Sequence, residues 1–566
     1  MKWIFIFFMT ITGFLKAQIV IDENFTDWND GVSVFLDKEG DGTHGIDFRF
    51  LKIDNDSKYL YLSFDTDREI NLQKDDPLAL FIDIDTNEDT GRKINGIGAD
   101  IAYFFAEKYG LYYRNGNNIL LNHDDIELMP LPTVSSDTFE LAIKRKFSVQ
   151  SYLINLSHNI KMVLVHDIQH GDKIPDGTGG VEYIMKDKPY VFPPYSIKKS
   201  NPSYLRIMSY NIEKDNFFSN EPPYKRLIKA GEADILCFQE LYDHSAYTVK
   251  ERIERYFGGN WYGAKEGDDL IIISKYPVKK SRLVGTNAAF LVDVAGRDML
   301  IINVHLYCCN KDDKRQKEVD EIMAFIRNAK AGKGPIPLKD KTPVIILGDM
   351  NFVSLNRQRK TLIEGDISNE NIYGPDFLPD WDNTFYEDAK PIATATPAAF
   401  TWYSPYSRYP RGRLDYVIYS GSVLQKQNAF ALYTAGLERD TLDLYRLNAT
   451  DTENASDHLP VFIDFSFKNP DGIADVSKPI GKVTVAPNPV SDMLQLHFSL
   501  KAAADTGIRI VDINGKLVKT IYTKAALGQN RMDIDVSNLP EGIYFIQILD
   551  VKNGVELSLP AKFVKI

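Results

Sequence analysis

The pattern of apolar and polar positions divides the chain into three parts. From residue 19 to 190, short runs such as DSKYLYLSFDTD and DPLALFIDID alternate with turns rich in Asp, Asn and Gly, which is typical of β-strands. From 204 to 467, strand-length apolar runs alternate with stretches at helical spacing such as DKRQKEVDEIMAFIRNA. Residues 483–566 again consist of strand-and-turn units. The pattern predicts an all-β sandwich at each end and an α/β domain between them.

The segments that separate these parts are rich in Pro, Lys and Ser. Residues 191–203 and 468–482 are therefore predicted to be linkers. Residues 1–18 combine an early lysine, a short apolar run and a small-residue exit, which is the layout of a secretory signal peptide. A buried N-terminal helix is the alternative, but a membrane span needs about 20 apolar residues. We expect a secreted protein.

Composition constrains how the chain is stabilised. It has 566 residues, of which 44% are hydrophobic, and a formal net charge of -12, as is ordinary for a soluble globular protein. Three cysteines are too few for a disulfide framework in an exported chain of this size, so hydrophobic cores must stabilise it. We assign the cysteines no chemistry and expect a monomer.

Polar residues bound nearly every apolar run of the middle part. Some end a run and others begin one, namely Asn211, Glu240, His305, Asp349, Asn351, Asp415, Asp457 and His458. Strand ends and strand starts share one edge of an antiparallel sheet, so these side chains can converge. Asp349 and Asn351 are two positions apart, so they leave an extended chain on the same face. Taken singly, each fragment would more often be a turn or hold a structural histidine.

In their order along the chain, the fragments of the middle part resemble a known superfamily. MSYNI, ILCFQE, IISKYP, INVHL, ILGDMN, RLDYV and SDHLP are similar to the motifs of the endonuclease/exonuclease/phosphatase superfamily, which includes deoxyribonuclease I. The resemblance covers about residues 204–467. It implies an α/β four-layer sandwich, in which two packed β-sheets are flanked by helices, and metal-dependent hydrolysis of phosphate esters.

The resemblance and the residue chemistry together suggest a metal site. A phosphodiester is anionic and its transition state is more so, and a hard cation held by oxygen ligands stabilises that charge. Glu240 is the first expected ligand, with Asp457 and Asn211 as the remainder, and Asn211 also counts among the catalytic residues. We expect Mg²⁺ or Mn²⁺ as the cofactor.

The remaining polar residues take roles in proton transfer and phosphate binding. Asp349 would orient and deprotonate the attacking water, and Asn351 would donate a hydrogen bond to a phosphoryl oxygen. His458 would contact the phosphate as a cation, with Asp415 accepting its other ring hydrogen. His305 matches the position that relatives of the deoxyribonuclease and sphingomyelinase type use to protonate the leaving oxygen.

The substrate is less well determined by the sequence. The stretch FTWYSPYSRYPRGRLDYV interleaves rings with cations, and its expected substrate-binding residues are Trp402, Tyr406, Arg408, Arg411 and Arg413. Nucleic acid is the first expectation, although an ordinary solvated loop would show the same letters and the domain carries no excess of basic residues. The alternatives are a phospholipase C or sphingomyelinase, a sugar-phosphate or inositol phosphatase, and a non-catalytic surface binding protein.

The N-terminal part carries its own acidic motif. FIDIDTNEDTG places Asp83, Asp85, Asn87 and Asp89 at alternate positions, where their oxygens could converge on Ca²⁺. The motif lacks the glycine and the final acid of an EF-hand, so a polar hairpin turn is the alternative. With IDENFTDWND, Gly91 and Asp100, residues 19–190 resemble family-nine-type carbohydrate-binding sandwiches, which implies a glycan ligand.

The C-terminal part contains several specific motifs. PNP, DINGK, LPEGIYFIQI and the closing AKFVKI resemble the type A sorting domain of the type IX secretion system. The Asn-Gly pair between two apolar runs also predicts a β-hairpin. The resemblance implies export across the outer membrane of a Gram-negative cell with the type IX machinery as a partner. A plain immunoglobulin-like accessory module is the alternative.

Overall fold

The structure is a computed structural model that describes most of the chain. The described residues are 18–468 apart from 30, 43, 75 and 191–196, and 483–566 apart from 501–503, 513–515, 527, 551–554 and 557–560. The predicted signal peptide and the predicted linker at 468–482 therefore lie outside the described residues, except for Gln18 and Lys468. The chain forms two compact units, Met1–Phe467 and Lys468–Ile566. Among the described residues, no helix is long and apolar enough to cross a membrane.

The N-terminal part of the first unit is all-β, as predicted. One sheet contains, in spatial order, Ser33–Leu36, Phe48–Asn55, Tyr59–Ile70, Ser136–Lys144 and Met129–Leu131. The second contains Lys173–Ile174, Asn159–His166, Leu78–Asp83, Ile101–Phe104, Tyr109–Arg114 and Asn117–Leu121, and Val181–Ile184 pairs with Asn159–His166. Apolar residues from both sheets form one buried cluster, which makes the region a β-sandwich. Two hairpins, Arg92–Ile94 with Ile97–Ala99 and Lys146–Val149 with Tyr152–Asn155, and the 3₁₀ turn Phe25–Trp28 complete it.

The middle of the chain is built on two mixed β-sheets. The first contains, in spatial order, Tyr262–Glu266, Leu270–Ser274, Ile235–Gln239, Leu205–Asn211, Val461–Phe467, Leu424–Ala431 and Ile392–Ala393. The second contains Val278–Val284, Asn287–Val294, Arg297–His305, Val344–Asp349, Asp415–Tyr419 and Glu387–Asp388. Their inner strands are buried on both faces, and for this reason the sequence shows continuous apolar runs there.

Alternating side chains of these strands face two different cores. Ile207 and Ile235 of the first sheet join Ile301 and Ile345 of the second in the core between the sheets. The intervening residues point outward to the helices: Met208 and Leu236 meet the helical residues Leu227 and Ile253. On the other side, Leu300 and Ile346 meet Val319 and Ile322. The result is the predicted four-layer α/β sandwich.

The helices form the two outer layers. Ala246–Phe257 begins at Ser245, whose Oγ accepts a hydrogen bond from the Thr248 N–H at 3.2 Å. Asp312–Lys330 has two acidic residues in its first turn and two basic residues in its last, which complements the helix dipole. The described helices of this part also include Asn216–Ser219, Glu221–Gly231, Arg357–Glu364, Glu370–Tyr373, Arg439–Tyr445 and Asp451–Ala455.

The N-terminal sandwich and the α/β domain share a hydrophobic core. Ile19, Ile21 and Trp28 belong to the same buried cluster as the residues between the two large sheets. Ile197, within the predicted linker 191–203, is buried in the helix layer of the first sheet. The domain boundary at residue 190 thus stays a division made on sequence, because no gap in packing marks it among the described residues.

The second unit is also all-β. One sheet contains Thr484–Ala486, Met493–Leu500 and Gly528–Asp535. The other contains Leu517–Ala525, Ala504–Asp512, Gly542–Asp550 and Val555–Glu556, and Ala561–Lys565 pairs with Gly542–Asp550. Ala504–Asp512 and Leu517–Ala525 pair antiparallel around the DINGK motif, as the Asn-Gly signal predicts. The turn residues 513–515 lie outside the described residues.

Candidate active site

The strand register brings the polar strand ends together. His305 and Asp349 end two parallel strands and lie opposite each other, and Asp349 is also opposite Asp415. Asn211 ends a strand of the other sheet, where it is opposite Gln239. One edge of the two packed sheets therefore carries the predicted residues, as the apolar runs indicate.

Asp349 lies at the centre of this group and is only 2% exposed. Its Oδ2 atom accepts hydrogen bonds from Asn211 Nδ2 and from Asn351 Nδ2, each at 3.1 Å. Its Oδ1 atom accepts from the Asn351 N–H at 3.0 Å. Burial raises the pKa of Asp349, while the two nearby histidines, His458 and His305, oppose that shift. A carboxylate with a raised pKa is a better proton acceptor than an ordinary aspartate.

Two histidines lie close to the Asp349 carboxylate, and each is bound to a different aspartate. The Nε2 atoms of His458 and His305 lie 3.5 Å and 3.8 Å from Asp349 Oδ2. His458 Nδ1 is 2.8 Å from Asp415 Oδ2, and His305 Nδ1 is 2.6 Å from Asp269 Oδ2. Each imidazole is thus held by one carboxylate and faces a second, so the site contains an Asp–His–Asp–His–Asp array.

The carboxylates set the charge of both imidazoles. Burial lowers the pKa of His458, but Asp415 and Asp349 outweigh it, so the pKa is well above its usual range. For His305, burial is likewise outweighed by the Asp269 hydrogen bond and by Asp349, which together raise the pKa to about 9. The carboxylate at Nδ1 of each ring favours the protonated form, in which the ring can act as a cation or as a proton donor.

Glu240 is linked to Asp349 through Asn211. Asn211 Nδ2 donates to Glu240 Oε1 and to Asp349 Oδ2, each at 3.1 Å. Glu240 Oε2 accepts the Lys214 N–H at 2.9 Å, and Glu240 Oε1 is 3.8 Å from His305 Nε2. The predicted ligands Glu240 and Asn211 are therefore adjacent, and oxygen donors of this kind suit a hard divalent cation.

The third predicted metal ligand, Asp457, is held by an aromatic neighbour. Trp402 Nε1 donates to Asp457 Oδ2 at 3.0 Å, which gives this predicted substrate residue a positioning contact. Glu213 is near both Asp457 and Glu240, and burial together with these two carboxylates raises its pKa. Ligand atoms of Asp349, Asp415 and His458 also lie within 4.8 Å of one another. The predicted ligands Glu240 and Asp457 are not part of that cluster.

Several residues at or beside the site have left-handed backbone conformations. Glu240 has φ of 64° and Asn351 has φ of 49°, and Glu213, Lys214 and Asp215 have φ between 48° and 61°. Non-glycine residues adopt this left-handed region uncommonly, and it costs of order 1 kcal/mol or more each. The surrounding structure holds the backbone in this conformation, as is common at functional sites.

The predicted substrate arginines need correction. Arg413 is fully buried and pairs with Asp388 and Glu23, and Arg411 is 4% exposed and pairs with Asp124 at 2.9 Å. A buried, paired guanidinium cannot reach a phosphate, so both have structural roles. Of the rest of the predicted set, Tyr406 is 91% exposed, and Arg408 is exposed while donating to the Glu107 carbonyl.

Sequence reasoning did not single out Asp269 and Glu213, two acidic neighbours of the predicted site residues. Asp269 occurs in the turn EGDDL before the strand Leu270–Ser274, and nothing in that fragment distinguishes it from a solvated turn acid. It is 8% exposed and contacts both the His305 ring and the Glu240 N–H. Like Asp415, it begins an apolar run, but many turn acids share that position and it does not single Asp269 out.

The acidic motif of the N-terminal sandwich brings together a different set from the one predicted. Ligand oxygens of Asp83, Asp85 and Asp100 lie within 4.8 Å of one another. Asn87 and Asp89 are instead exposed and engaged in local turns, with the Asp89 N–H donating to Asn87 Oδ1 at 3.2 Å. Asp100 lies between the strands Ile97–Ala99 and Ile101–Phe104, and it is part of the family resemblance but not of the predicted ligand set. Four acids of a second cluster, Asp37, Asp41, Asp172 and Asp176, are similarly close.

Asp83 has the environment of a cation ligand. It is fully buried, and neither of its carboxylate oxygens has a hydrogen-bond partner among the described residues. Burial and the adjacent Asp85 raise its pKa, although backbone N–H groups of Thr86 and Gly98 oppose this without reaching hydrogen-bonding geometry. Buried unpaired carboxylates are costly unless a cation or proton compensates them.

Comparison with known proteins agrees with this geometry. Residues 208–458 match the model of the endonuclease/exonuclease/phosphatase family, and residues 484–558 match that of the secretion system C-terminal sorting domain. The middle of the chain is thus an endonuclease/exonuclease/phosphatase domain, of a family of hydrolases that act on phosphate esters. More particularly, it is one joined to a sorting domain of the type IX secretion system, which marks the protein for secretion or the cell surface.

Three of the solved structures that the chain is similar to have low sequence identity and low TM-scores. The human Nocturnin catalytic domain with bound sulfate shares 17% identity over 47% of this chain and 95% of its own, with a TM-score of 0.29. An endonuclease/exonuclease/phosphatase from Beutenbergia cavernae shares 12% over 64% and 99%, with a TM-score of 0.31. Truncated TDP2 from Caenorhabditis elegans shares 17% over 47% and 98%, with a TM-score of 0.30. No curated protein matches the chain.

Proposed function

We propose that the protein is a secreted, divalent-metal-dependent phosphodiesterase whose substrate is nucleic acid. The observation that carries the proposal is the position of Asp349 between two imidazoles, each held by its own carboxylate. Phosphodiester hydrolysis needs one group to accept a proton from water, one to return a proton to the leaving oxygen and one to bind the anionic centre. This array contains a candidate for each.

Asp349 is the proposed general base. Its raised pKa favours proton uptake from water, and the Asn211 and Asn351 amides fix the orientation of its carboxylate. His305 is the proposed general acid, because its pKa is raised to about 9 and Asp269 binds the other ring nitrogen, Nδ1, which leaves the Nε2–H for the leaving oxygen. His458, with Asp415 behind it, is the proposed cation for a phosphoryl oxygen.

Asn351 and the metal ligands complete the proposal. Asn351 Nδ2 donates to Leu306 O at 2.9 Å and to Asp349, so donation to a phosphoryl oxygen would replace one of these two hydrogen bonds. Glu240, Asn211 and Asp457 would hold Mg²⁺ or Mn²⁺ through oxygen atoms. When bound, the ion would supply charge neutralisation at the transferring phosphoryl group.

Exposed aromatic rings next to the site favour nucleic acid. Tyr242 and Tyr307 follow Glu240 and His305 by two residues and are 43% and 42% exposed. The Lys314 Nζ atom lies 4.4 Å from the centre of the Tyr307 ring. Rings beside cations stack bases and attract the backbone of single strands. Aromatic rings also bind the quaternary ammonium of choline headgroups, so the substrate panel includes sphingomyelin.

A substrate panel tests the proposal. The purified full chain is stripped with EDTA, supplied with Mg²⁺ and offered plasmid DNA, RNA, sphingomyelin and inositol phosphates. We expect cleavage of DNA or RNA. Cleavage of sphingomyelin or inositol phosphate alone would move the protein to the second class of substrate, and no turnover of any phosphate ester would contradict the catalytic proposal itself.

We further infer export through the type IX machinery of a Gram-negative cell, after passage across the inner membrane with the signal peptide at 1–18. Deleting residues 483–566 should leave hydrolysis intact and retain the protein in the periplasm, because all the proposed site residues precede residue 459. Normal yield of the truncated chain in the medium would contradict this inference. A glycan ligand for residues 19–190 stays a prediction from the resemblance.

The cluster of Asp83, Asp85 and Asp100 supports a proposed Ca²⁺ site in the N-terminal sandwich. Three carboxylates in reach of one ion, one of them buried without hydrogen-bond partners, fit a hard cation that prefers several oxygen ligands. Because the cluster fastens one strand to the loop of another, its expected role is stabilisation of the sandwich.

A further inference from the structure

The adjacent cysteines Cys308 and Cys309 are the strongest unassigned feature of the chain. Both are exposed, and their Sγ atoms are 2.7 Å apart, compared with about 2.05 Å in a disulfide. The third cysteine, Cys237, is fully buried in the core between the two sheets. The exposed thiols therefore differ from it in both access and proximity.

The fold holds this pair of thiols in place. Arg315 is fully buried, and its Nη1 atom donates to the carbonyls of Tyr307 and Cys309 at 2.7 Å and 2.8 Å. Its Nη2 atom donates to Asp312 Oδ1 at 2.6 Å. Cys309 has φ of 63°, a left-handed conformation that is uncommon for a residue with a side chain. The close approach of the sulfurs is thus built into a fixed loop.

The same loop contacts the candidate active site. The Leu306 N–H donates to the Asp349 carbonyl at 3.0 Å, and the Leu306 carbonyl accepts from Asn351 Nδ2 at 2.9 Å. His305 lies three residues before Cys308. A covalent change at the cysteines therefore acts on a segment that is hydrogen-bonded to Asp349, the proposed base, and to Asn351.

We propose that Cys308 and Cys309 form a reversible vicinal disulfide by exchange with a disulfide donor outside the cytoplasm. The sorting domain addresses the chain to compartments where disulfides form and persist. One cysteine thiolate attacks the donor disulfide, which gives a mixed disulfide and releases one donor thiol. The second cysteine thiolate then attacks the mixed disulfide and releases the other donor thiol, so the protein loses two hydrogens that the donor gains.

Adjacency makes this bond a labile one. Consecutive Cα atoms are about 3.8 Å apart across a trans peptide, below the usual range of about 4.4–6.8 Å for disulfide-bonded cysteines. Strained and exposed disulfides are more readily reduced than structural ones, and they are the type used in regulation. The pair is thus suited to reversible modification rather than to stabilising the fold.

The test measures thiols and mass on the purified full chain. Reduced protein is treated with excess oxidised glutathione, and the intact mass and native alkylation are recorded before and after. We expect native alkylation of two cysteines before oxidation and none after, with a mass loss equal to two hydrogen atoms and recovery on addition of dithiothreitol. Cys237 should stay unlabelled throughout and serves as the internal control.

Variants distinguish ring closure from simple adduct formation. Cys308→Ser and Cys309→Ser should each retain one glutathione as a stable mixed disulfide, because no neighbouring thiol can displace it. A stable glutathione adduct on the wild-type chain, a disulfide between two chains, or undiminished alkylation after oxidation would each overturn the proposal.

The effect on catalysis rests on the proposed function and has a separate readout. Oxidised protein should hydrolyse the best substrate of the panel at a rate at least twofold different from reduced protein, and reduction should restore the original rate. Both serine variants should be insensitive to the donor. Equal rates before and after a proven mass change would refute the coupling, whereas an inactive chain that still closes the ring would count against the proposed function alone.

Discussion

Substitution of Glu23 tests whether its buried ion pairs hold the N-terminal sandwich to the α/β domain. Its Oε1 atom accepts from Arg413 Nη1 at 3.2 Å and its Oε2 atom pairs with Arg359. The Glu23 side chain is 6% exposed and that of Arg413 is fully buried. Arg413 precedes Asp415 by two residues, so this ion pair connects the start of the chain to a strand of the candidate active site.

Glu23→Gln removes the charge while keeping the shape of the side chain. Removing one partner of a buried ion pair costs about 3–5 kcal/mol, because the other charge stays buried without compensation. Arg413 keeps Asp388 as a second carboxylate, so we expect the lower end of that range, about 3 kcal/mol. At about 2.1 cal/mol/K per residue over roughly 450 residues, unfolding has an entropy of about 1 kcal/mol/K, which converts this loss into a Tm decrease of about 3 °C.

The assay is thermal unfolding of the full chain by calorimetry and circular dichroism. Because the sandwich and the catalytic domain share a core, one transition should report both, and Glu23→Gln should shift it as a whole. The control is Asp443→Asn, which breaks the ion pair between Asp443 and Arg439. Their side chains are 61% and 83% exposed, so this substitution should change Tm by about 0.5 °C or less.

The reasoning would be refuted by either of two results. One is a Glu23→Gln change no larger than the Asp443→Asn change. The other is a separate early transition for the sandwich with the catalytic transition unmoved, which would mean that the two parts unfold independently despite the shared core.

Three further predictions follow from the geometry. Asp269→Asn should lower the pKa of His305 and move the alkaline limb of the kcat/KM pH profile to lower pH, and an unmoved limb would exclude His305 as the acid. Ca²⁺ should raise the Tm of the EDTA-treated chain and Asp83→Asn should abolish that rise, whereas a rise that survives the substitution would place the ion elsewhere. Burial and its acidic neighbours raise the pKa of Asp37 to about 8, so in EDTA the Tm should fall as pH rises from about 4 through 8. Asp37→Asn should flatten that slope, and an unchanged slope would exclude Asp37 as its source.

Much of the fold was predictable because it follows from periodicity. Strands such as Leu205–Asn211 and Val344–Asp349 are buried on both faces and read as continuous apolar runs that stop at a polar residue. The helix Asp312–Lys330 shows helical spacing and acids in its first turn. These local signals are strong because burial and backbone geometry act on neighbouring residues.

The sequence could not show contacts made over long distances. The sequence around Arg413 does not distinguish it from an arginine in a solvated loop. Only the fold brings Glu23 and Asp388 to it. Asp269 resembles any turn acid until the strand Arg297–His305 brings His305 against it. In the acidic cluster, Asp100 stands beside Asp83 and Asp85, where the sequence predicts Asn87 and Asp89. Register, rather than composition, decides such contacts.

The central claim is that Asp349 is the base of a metal-dependent phosphodiesterase. The most direct measurement is the initial rate on the best substrate of the panel for wild type and Asp349→Asn, in EDTA and in Mg²⁺, alongside a melting curve of each. The account predicts no hydrolysis in EDTA, recovery in Mg²⁺, and a rate for Asp349→Asn lower by about 10²–10⁴ with little change in Tm. Undiminished turnover in EDTA, or a loss for Asp349→Asn under about tenfold at unchanged Tm, would contradict it.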